Sequence, residues 1–166
     1  LSSAPELLIV KDGTNAYNWY VYSTATGSNI GIEGLNTTAA SFAASSQMTT
    51  TSTLITDVPS VASLNTSGAN MVIYAFHSVS GYSKIGSYTG SGSDGNAVTT
   101  GFQPDFLLVK RTDSSGGWLM FDSARNPSNP RNNRLEANNN QAEQTGSTSK
   151  FVDFNSNNFE ANGSDS

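Results

Sequence analysis

Two stretches of this chain echo each other in register. The first runs Leu7-Leu8-Ile9-Val10-Lys11, then a turn cluster, then Trp19-Tyr20-Val21-Tyr22. The second runs Phe106-Leu107-Leu108-Val109-Lys110-Arg111, then a turn cluster, then Trp118-Leu119-Met120-Phe121-Asp122. Pro104 minus Pro5, Lys110 minus Lys11 and Trp118 minus Trp19 all equal 99. Glu6 answers Asp105, Leu8 answers Leu107 and Val10 answers Val109 at the same spacing. A single offset carrying proline, acid, leucine, valine, lysine and tryptophan together implies a duplicated unit of that length. Each copy has the form of a hairpin, two apolar runs separated by Asp, Ser and Gly.

The composition agrees with strands rather than helices. Charged residues make up 13% of the chain, against about 25% in an ordinary globular protein. The polar surface is therefore supplied by Ser, Thr, Asn and Gly, which favour strands and turns over helices. With 166 residues the chain is one domain or two small ones, and 36% hydrophobic residues suffice for a core. The net charge of −5, with 13 acidic and 8 basic groups and no basic block, argues against nucleic acid or an anionic membrane as a partner. No apolar run approaches the roughly 18 residues of a membrane-spanning helix. The absence of cysteine excludes disulfides and thiolate metal sites. The chain opens without Met or a signal peptide and stops in a polar stretch, so it reads as a segment of a longer protein.

Taken in order, Leu7–Lys11 reads as a strand buried on both faces and Tyr17–Tyr22 as a second strand. Thr24–Gly34 reads as a loop containing Ile30 and Ile32. Leu35–Gln47 reads as loop or short strand, and Leu54-Ile55 starts a short strand that Pro59 limits. Met71–His77 is a clear strand. Tyr82–Tyr88 is expected to be another, with Gly86 as a bulge, followed by a glycine-rich loop over Ser87–Asn96 and a short strand over Ala97–Thr99. Asn126–Arg134 reads as an irregular loop and Leu135–Ala142 as a strand. Phe151–Phe154 and Phe159–Ala161 close the chain as short strands. Many short strands with turn signals between them indicate an all-β sandwich or barrel.

The motifs that carry chemistry elsewhere are weak here. Gly90-Ser91-Gly92-Ser93-Asp94-Gly95 fits the G-x-G-x-x-G string, but Asn96-Ala97-Val98-Thr99-Thr100-Gly101 follows where a dinucleotide site needs a helix. His77, the only histidine, reads as a strand-end residue, and one His without Cys is a poor start for a zinc site. Glu6 and Asp105 are repeat-equivalent, which favours a structural role. Asp94, Asp113 and Asp122 are loop carboxylates of the kind calcium uses, although no EF-hand string is present. No cofactor and no catalytic residue is expected. Pro5, Lys11 and Trp19, with their counterparts Pro104, Lys110 and Trp118, are expected to be structural. Both tryptophans are expected to be buried, each contributing roughly 3 kcal/mol. Lys11 and Lys110 are expected to lay their stems on the core and reach water with the ammonium. Tyr82 and Tyr88, beside the glycine loop, are candidates for an exposed contact surface, as is Asp94. Asn36, Asn65 and Asn162 head N-x-S/T strings.

The chain also resembles a two-repeat module of tailed-bacteriophage structural proteins, chiefly from marine phages. The residues that carry the resemblance are Tyr74-Ala75-Phe76, then Gly81-Tyr82-Ser83-Lys84-Ile85-Gly86-Ser87-Tyr88-Thr89-Gly90 through Asp94-Gly95. Gly101-Phe102-Gln103-Pro104 through Lys110-Arg111-Thr112-Asp113 follow, then Trp118 with Asp122, Arg125, Pro127 and Asn129. The resemblance implies a lectin-like or jelly-roll β-sandwich in a tail fibre or other virion appendage, on the particle surface. It implies partners among other virion chains, including a homo-oligomer such as a trimer, and host attachment through a surface glycan. It implies no catalytic residues. Compared with that family, the first repeat, 1–84, lacks an N-terminal strand. The second, 85–166, lacks a C-terminal strand like Met71–Phe76. A carbohydrate-binding module is the competing reading, and a glycan hydrolase the third.

Overall fold

A computed structural model describes residues 3–26, 30–32, 34–43, 49–56 and 64–163. Leu1, Ser2, Ala44–Gln47, Pro59 and the last three residues, on which some of the expectations above fall, lie outside them. The described structure is all-β, with antiparallel pairing throughout and no α-helix. The chain divides into two compact units. One comprises Leu1–Ser78, Ile85–Ser87 and Arg111–Gly117, the other Val79–Lys84, Tyr88–Lys110 and Trp118–Ser166.

The first unit contains β1 (Leu7–Asp12), β2 (Tyr20–Ser23), a single 3-10 turn at Thr24–Thr26, β3 (Ile30–Ile32), β4 (Ser41–Ala43), β5 (Thr49–Thr50), β6 (Ile55–Thr56) and β7 (Met71–Phe76). Five strands form one sheet in the order β4-β3-β2-β1-β7, and β5 pairs with β6. β1 is not buried on both faces. Leu8, Val10 and Asp12 are buried while Leu7, Ile9 and Lys11 are half-buried. The alternation is hidden in the sequence because the less covered face is apolar too. Leu8 and Val10 gather Tyr22, Ile55, Leu64, Met71 and Ala75 around them.

Ile30-Gly31-Ile32, expected as loop, is a strand paired with β2 through Val21↔Ile32 and Tyr22↔Gly31. Two isoleucines around a glycine are too short a pattern to show period two. The strand exists because the second edge of β2 needs hydrogen-bond partners. The pairing then slips by one residue, since the Leu35 N–H donates to the Trp19 carbonyl at 2.7 Å. Gly34, at φ 45, takes up the slip without a Cβ penalty.

The second unit contains β8 (Asn96–Thr99), β9 (Phe106–Lys110), β10 (Trp118–Asp122), β11 (Leu135–Glu136), β12 (Phe151–Phe154) and β13 (Asn158–Asn162). They form two three-stranded sheets, β11-β10-β9 and β12-β13-β8. One apolar cluster draws on both: Phe121, Leu107 and Leu119 from the first, Val152, Phe154, Phe159, Ala161 and Val98 from the second. The expected strand over Tyr82–Tyr88 is absent. That segment opens with a tight turn closed by the Tyr82 and Ser83 N–H groups on the Val79 carbonyl. The Ile85 N–H is then taken by the Ser78 hydroxyl, a side chain standing in for a ladder partner. Leu135–Ala142 also yields only two strand residues, because Asn138 and Asn139 use their side chains on nearby backbone and carboxylate groups.

The two hairpins share their pairing. β1 pairs with β2 as Leu8↔Tyr22 and Val10↔Tyr20, and β9 pairs with β10 as Leu107↔Phe121 and Val109↔Leu119. Each residue of the second set is its counterpart in the first plus 99 (107 − 8, 121 − 22). The bond after each hairpin matches as well. The Thr24 N–H donates to the Glu6 carbonyl at 2.9 Å, and the Ser123 N–H to the Asp105 carbonyl at 2.9 Å. Beyond the hairpins the units differ, since β1 carries β7 on its far side while β9 ends its sheet.

Candidate contact surfaces

The repeat-equivalent residues all sit in the frame. Pro5 and Pro104 are both buried. The Lys11 ammonium donates to the Tyr17 carbonyl at 2.7 Å and the Asn15 carbonyl at 3.3 Å. It therefore closes the loop of its hairpin instead of simply reaching water, because the loop carbonyls have no strand partner. Lys110 is half-buried at the end of β9. Trp118 is 4% exposed. Trp19 is only half-buried, and its ring stacks on Tyr74 with centroids 6.4 Å apart. The two tryptophans, both expected to be buried, therefore differ: Trp118 is buried and Trp19 is not. Trp19 precedes β2 and lies against an edge strand, so less of it is covered.

Of the three candidate contact residues, Tyr82 and Asp94 are exposed and Tyr88 is not. Tyr82 is 81% exposed, held out by the turn from Val79 to Ser83. Tyr88 is half-buried. It meets Phe159 edge-on at 5.6 Å and joins the apolar cluster, and burial pushes its hydroxyl pKa above the usual phenol value. Asp94 is a tether: its carboxylate accepts the Gly163 N–H at 2.7 Å. Next to it the Gly95 N–H donates to the side chain of Asn162 at 2.7 Å, and Asn162 is buried. The glycine-rich loop is thus pinned to the end of β13.

Other carboxylates are engaged in the same way. Asp12, fully buried, accepts the Thr14 and Asn15 N–H groups and the Asn15 side-chain amide, at 2.8, 2.9 and 2.9 Å. The Asn15 amide above all holds its pKa down at about 2, against the opposing effect of burial. For Asp122, burial works upwards, but the Arg125 N–H and guanidinium outweigh it and keep the carboxyl below its ordinary value. Arg125 lies 2.5 Å from Asp122 and 3.4 Å from Glu143. Asp113 pairs with Arg111 at 2.7 Å, an exposed contact that contributes little stability. The Glu6 carboxylate accepts the Ser78 hydroxyl and the Asp105 carboxylate that of Ser123. Among the described residues no group of three or more His, Cys, Asp or Glu could hold a metal ion. No helix among them is long and apolar enough to cross a membrane.

Two features were not legible in the sequence. Arg131 and Arg134, in the stretch expected to be an irregular loop, are buried. Arg131 lies over the Phe154 ring at 5.2 Å and donates to the Asn126 carbonyl. Arg134 donates to the Gln144 side chain. The Asn129 side chain exchanges two hydrogen bonds with the Phe154 backbone, copying a strand partner along the edge of β12. The second feature is β7. It ends its sheet, and Val72, Ile73, Tyr74 and Phe76 are all exposed. The Gly13 N–H donates to the Asn70 carbonyl, which sets the phase of the β1–β7 ladder. Backbone groups of Met71, Ile73 and Ala75 are directed away from β1. They have no partner among the described residues.

The features define an all-β protein in which several carboxylates close turns and in which Val72, Ile73, Tyr74, Phe76 and Tyr82 are exposed. The chain belongs to the family described as "Domain of unknown function (DUF7483)", whose model matches residues 1–166. No curated protein matches it, and no solved structure does.

Proposed function

We propose that this chain is a non-enzymatic structural segment of a tailed-phage particle, part of a tail fibre or other appendage on the virion surface. In this reading it is a lectin-like sandwich built from a duplicated unit, packed against other virion chains as a homo-oligomer. A trimer is the arrangement to test first. The observation that carries the reading is β7, which has no outer neighbour among the described residues and carries four exposed apolar side chains and no charge. Proteins that work alone protect such an edge with Lys, Pro, a bulge or a covering loop. A chain assembled into a particle buries it against a neighbour. Further support comes from the motif resemblance and from carboxylates committed to turn N–H groups.

Tyr82 favours a second reading, a carbohydrate-binding module. A phenol 81% exposed on a closed turn is a stacking platform for a sugar. A glycan array probed with the purified chain separates the two. A saturable glycan signal abolished by Tyr82→Ala supports the second. No signal, with the chain present in multiple copies in purified particles, supports the first.

A further inference from the structure

Asn162-Gly163, where β13 ends, is the single Asn-Gly pair of the chain. Such a pair carries its own chemistry, because glycine has no Cβ to shield its backbone nitrogen from the asparagine side chain. That nitrogen attacks Cγ of the asparagine when the two are free to meet. The N–Cγ bond forms and the Cγ–Nδ2 bond breaks. The attacking nitrogen gives its proton to solvent, and the side-chain nitrogen takes one up and leaves as ammonia. The product is a five-membered succinimide. Water then opens the ring to an aspartyl or an isoaspartyl residue, and no oxidant or reductant takes part.

Here both reacting groups are tied down. The Asn162 side-chain oxygen accepts the Gly95 N–H at 2.7 Å. Its Nδ2 donates to the Asp153 carboxylate at 3.1 Å and to the Glu160 carbonyl at 3.4 Å. The Gly163 N–H, on the nitrogen that would attack, donates to the Asp94 carboxylate at 2.7 Å. A nitrogen beside that anion keeps its proton, and a side chain bonded at both ends does not swing. Asn162 is 3% exposed, so water is also kept from Cγ. Two of these bonds, from Gly95 and to Asp94, belong to the exposed stretch 89–95. A glycine-rich surface loop of this kind opens locally at low cost.

We propose that Asn162 is a latched deamidation site and that the loop over residues 89–95 is its latch. While the loop is closed the amide persists. When the loop lifts, Asn162 converts, and the loop does not close again. A carboxylate at position 162 puts an anion where Nδ2 met the Asp153 carboxylate and the Glu160 carbonyl. Two donor bonds become repulsions at a buried site. The isoaspartyl product also lengthens the backbone by a methylene and draws the Gly163 N–H away from Asp94. The conversion is one-way and leaves the glycine loop free. Neither the virion reading nor the glycan reading is needed for it.

The test incubates the whole chain at mildly alkaline pH and follows position 162 by peptide mapping that resolves asparaginyl, aspartyl and isoaspartyl forms. Three samples are compared: the folded chain, the chain in denaturing urea, and folded Asp94→Ala. The folded chain is expected to convert more than about tenfold slower than the chain in urea. Asp94→Ala, which removes one charge-assisted bond from the closed state, is expected to speed conversion of the folded chain by about tenfold. Converted chain is then separated by ion exchange and examined by amide hydrogen exchange. It is expected to lose protection at Gly95 while Val98 and Phe159 keep theirs. Conversion of the folded chain as fast as in urea overturns the proposal. So does an Asp94→Ala rate equal to that of the parent, or converted chain in which Gly95 stays protected. An Asp94→Ala chain that unfolds outright, or converted chain that loses the whole β12–β13 ladder, overturns it as well, since the contact would then hold the frame and not a loop.

Discussion

The side-chain carbonyl of Asn138 accepts the backbone N–H of Trp118 at 2.6 Å. The Trp118 carbonyl in turn receives the N–H of Ala137 at 3.0 Å. The first unit repeats the arrangement: Asn36 accepts the Trp19 N–H at 2.9 Å, and Leu35 donates to the Trp19 carbonyl at 2.7 Å. In each unit an asparagine amide serves as the last rung of the ladder beside the tryptophan. Asn138→Ala leaves the N–H of a buried residue without its partner, at an expected cost of about 1–3 kcal/mol. Asn36→Ala is expected to cost less, since that site is exposed and water replaces the amide. Urea denaturation of both variants checks the order, and equal, negligible losses would dissolve the relationship.

The two tryptophans are expected to separate in stability. Trp118→Ala opens a cavity at a buried site and should cost about 3–5 kcal/mol. Trp19→Ala removes a half-covered ring stacked on Tyr74, and its cost should be clearly smaller. Thermal melts of the two variants measure the difference.

Acid sensitivity follows from Asp12. Its folded pKa is held at about 2, below the ordinary 3.8. The folded state therefore binds the proton less readily than the unfolded one, and stability is lost as the pH falls from about 3.8 to about 2. Above that window the contribution is fully present. Asn15→Ala removes the largest cause of the depression, so the carboxyl should titrate closer to 3.8. A carboxyl NMR titration of the folded variant reads this, and an unchanged midpoint would contradict the assignment.

Gly163 closes β13 at φ 99, and a Cβ there would collide with the Ser149 carbonyl oxygen. Gly163→Ala is expected to cost more than about 2 kcal/mol and to loosen the bond from its N–H to Asp94. Chemical denaturation and exchange at the Gly163 amide report the two effects.

What the sequence disclosed was the part with strong period and constant spacing. The hairpins of β1–β2 and β9–β10, and the strands β7, β12 and β13, stand on apolar runs bounded by turn residues. Features formed by side chains bonding to distant backbone were hidden. Asn36 and Asn138 lie 102 apart (138 − 36), so a search at the constant offset passes them by. β3 and β11 are too short for alternation to show, and Ser78 replaces the ladder where Tyr82–Tyr88 looked like a strand. Arg131 and Arg134 sit among Asn and Pro and carry no local signal of burial. Their covering comes from Phe154 and Gln144, which are remote in sequence. Tyr82 and Tyr88 look alike in sequence, and only the packing of Phe159 against Tyr88 tells the displayed ring from the covered one.

The central claim is that this chain is a built-in part of a phage particle. Quantitative mass spectrometry of gradient-purified particles of a phage whose genome carries this sequence tests that proposal most directly. The account predicts peptides of the chain in the particle at a fixed, repeated copy number, in step with the major structural proteins. Peptides confined to the infected-cell lysate and absent from intact particles would contradict it.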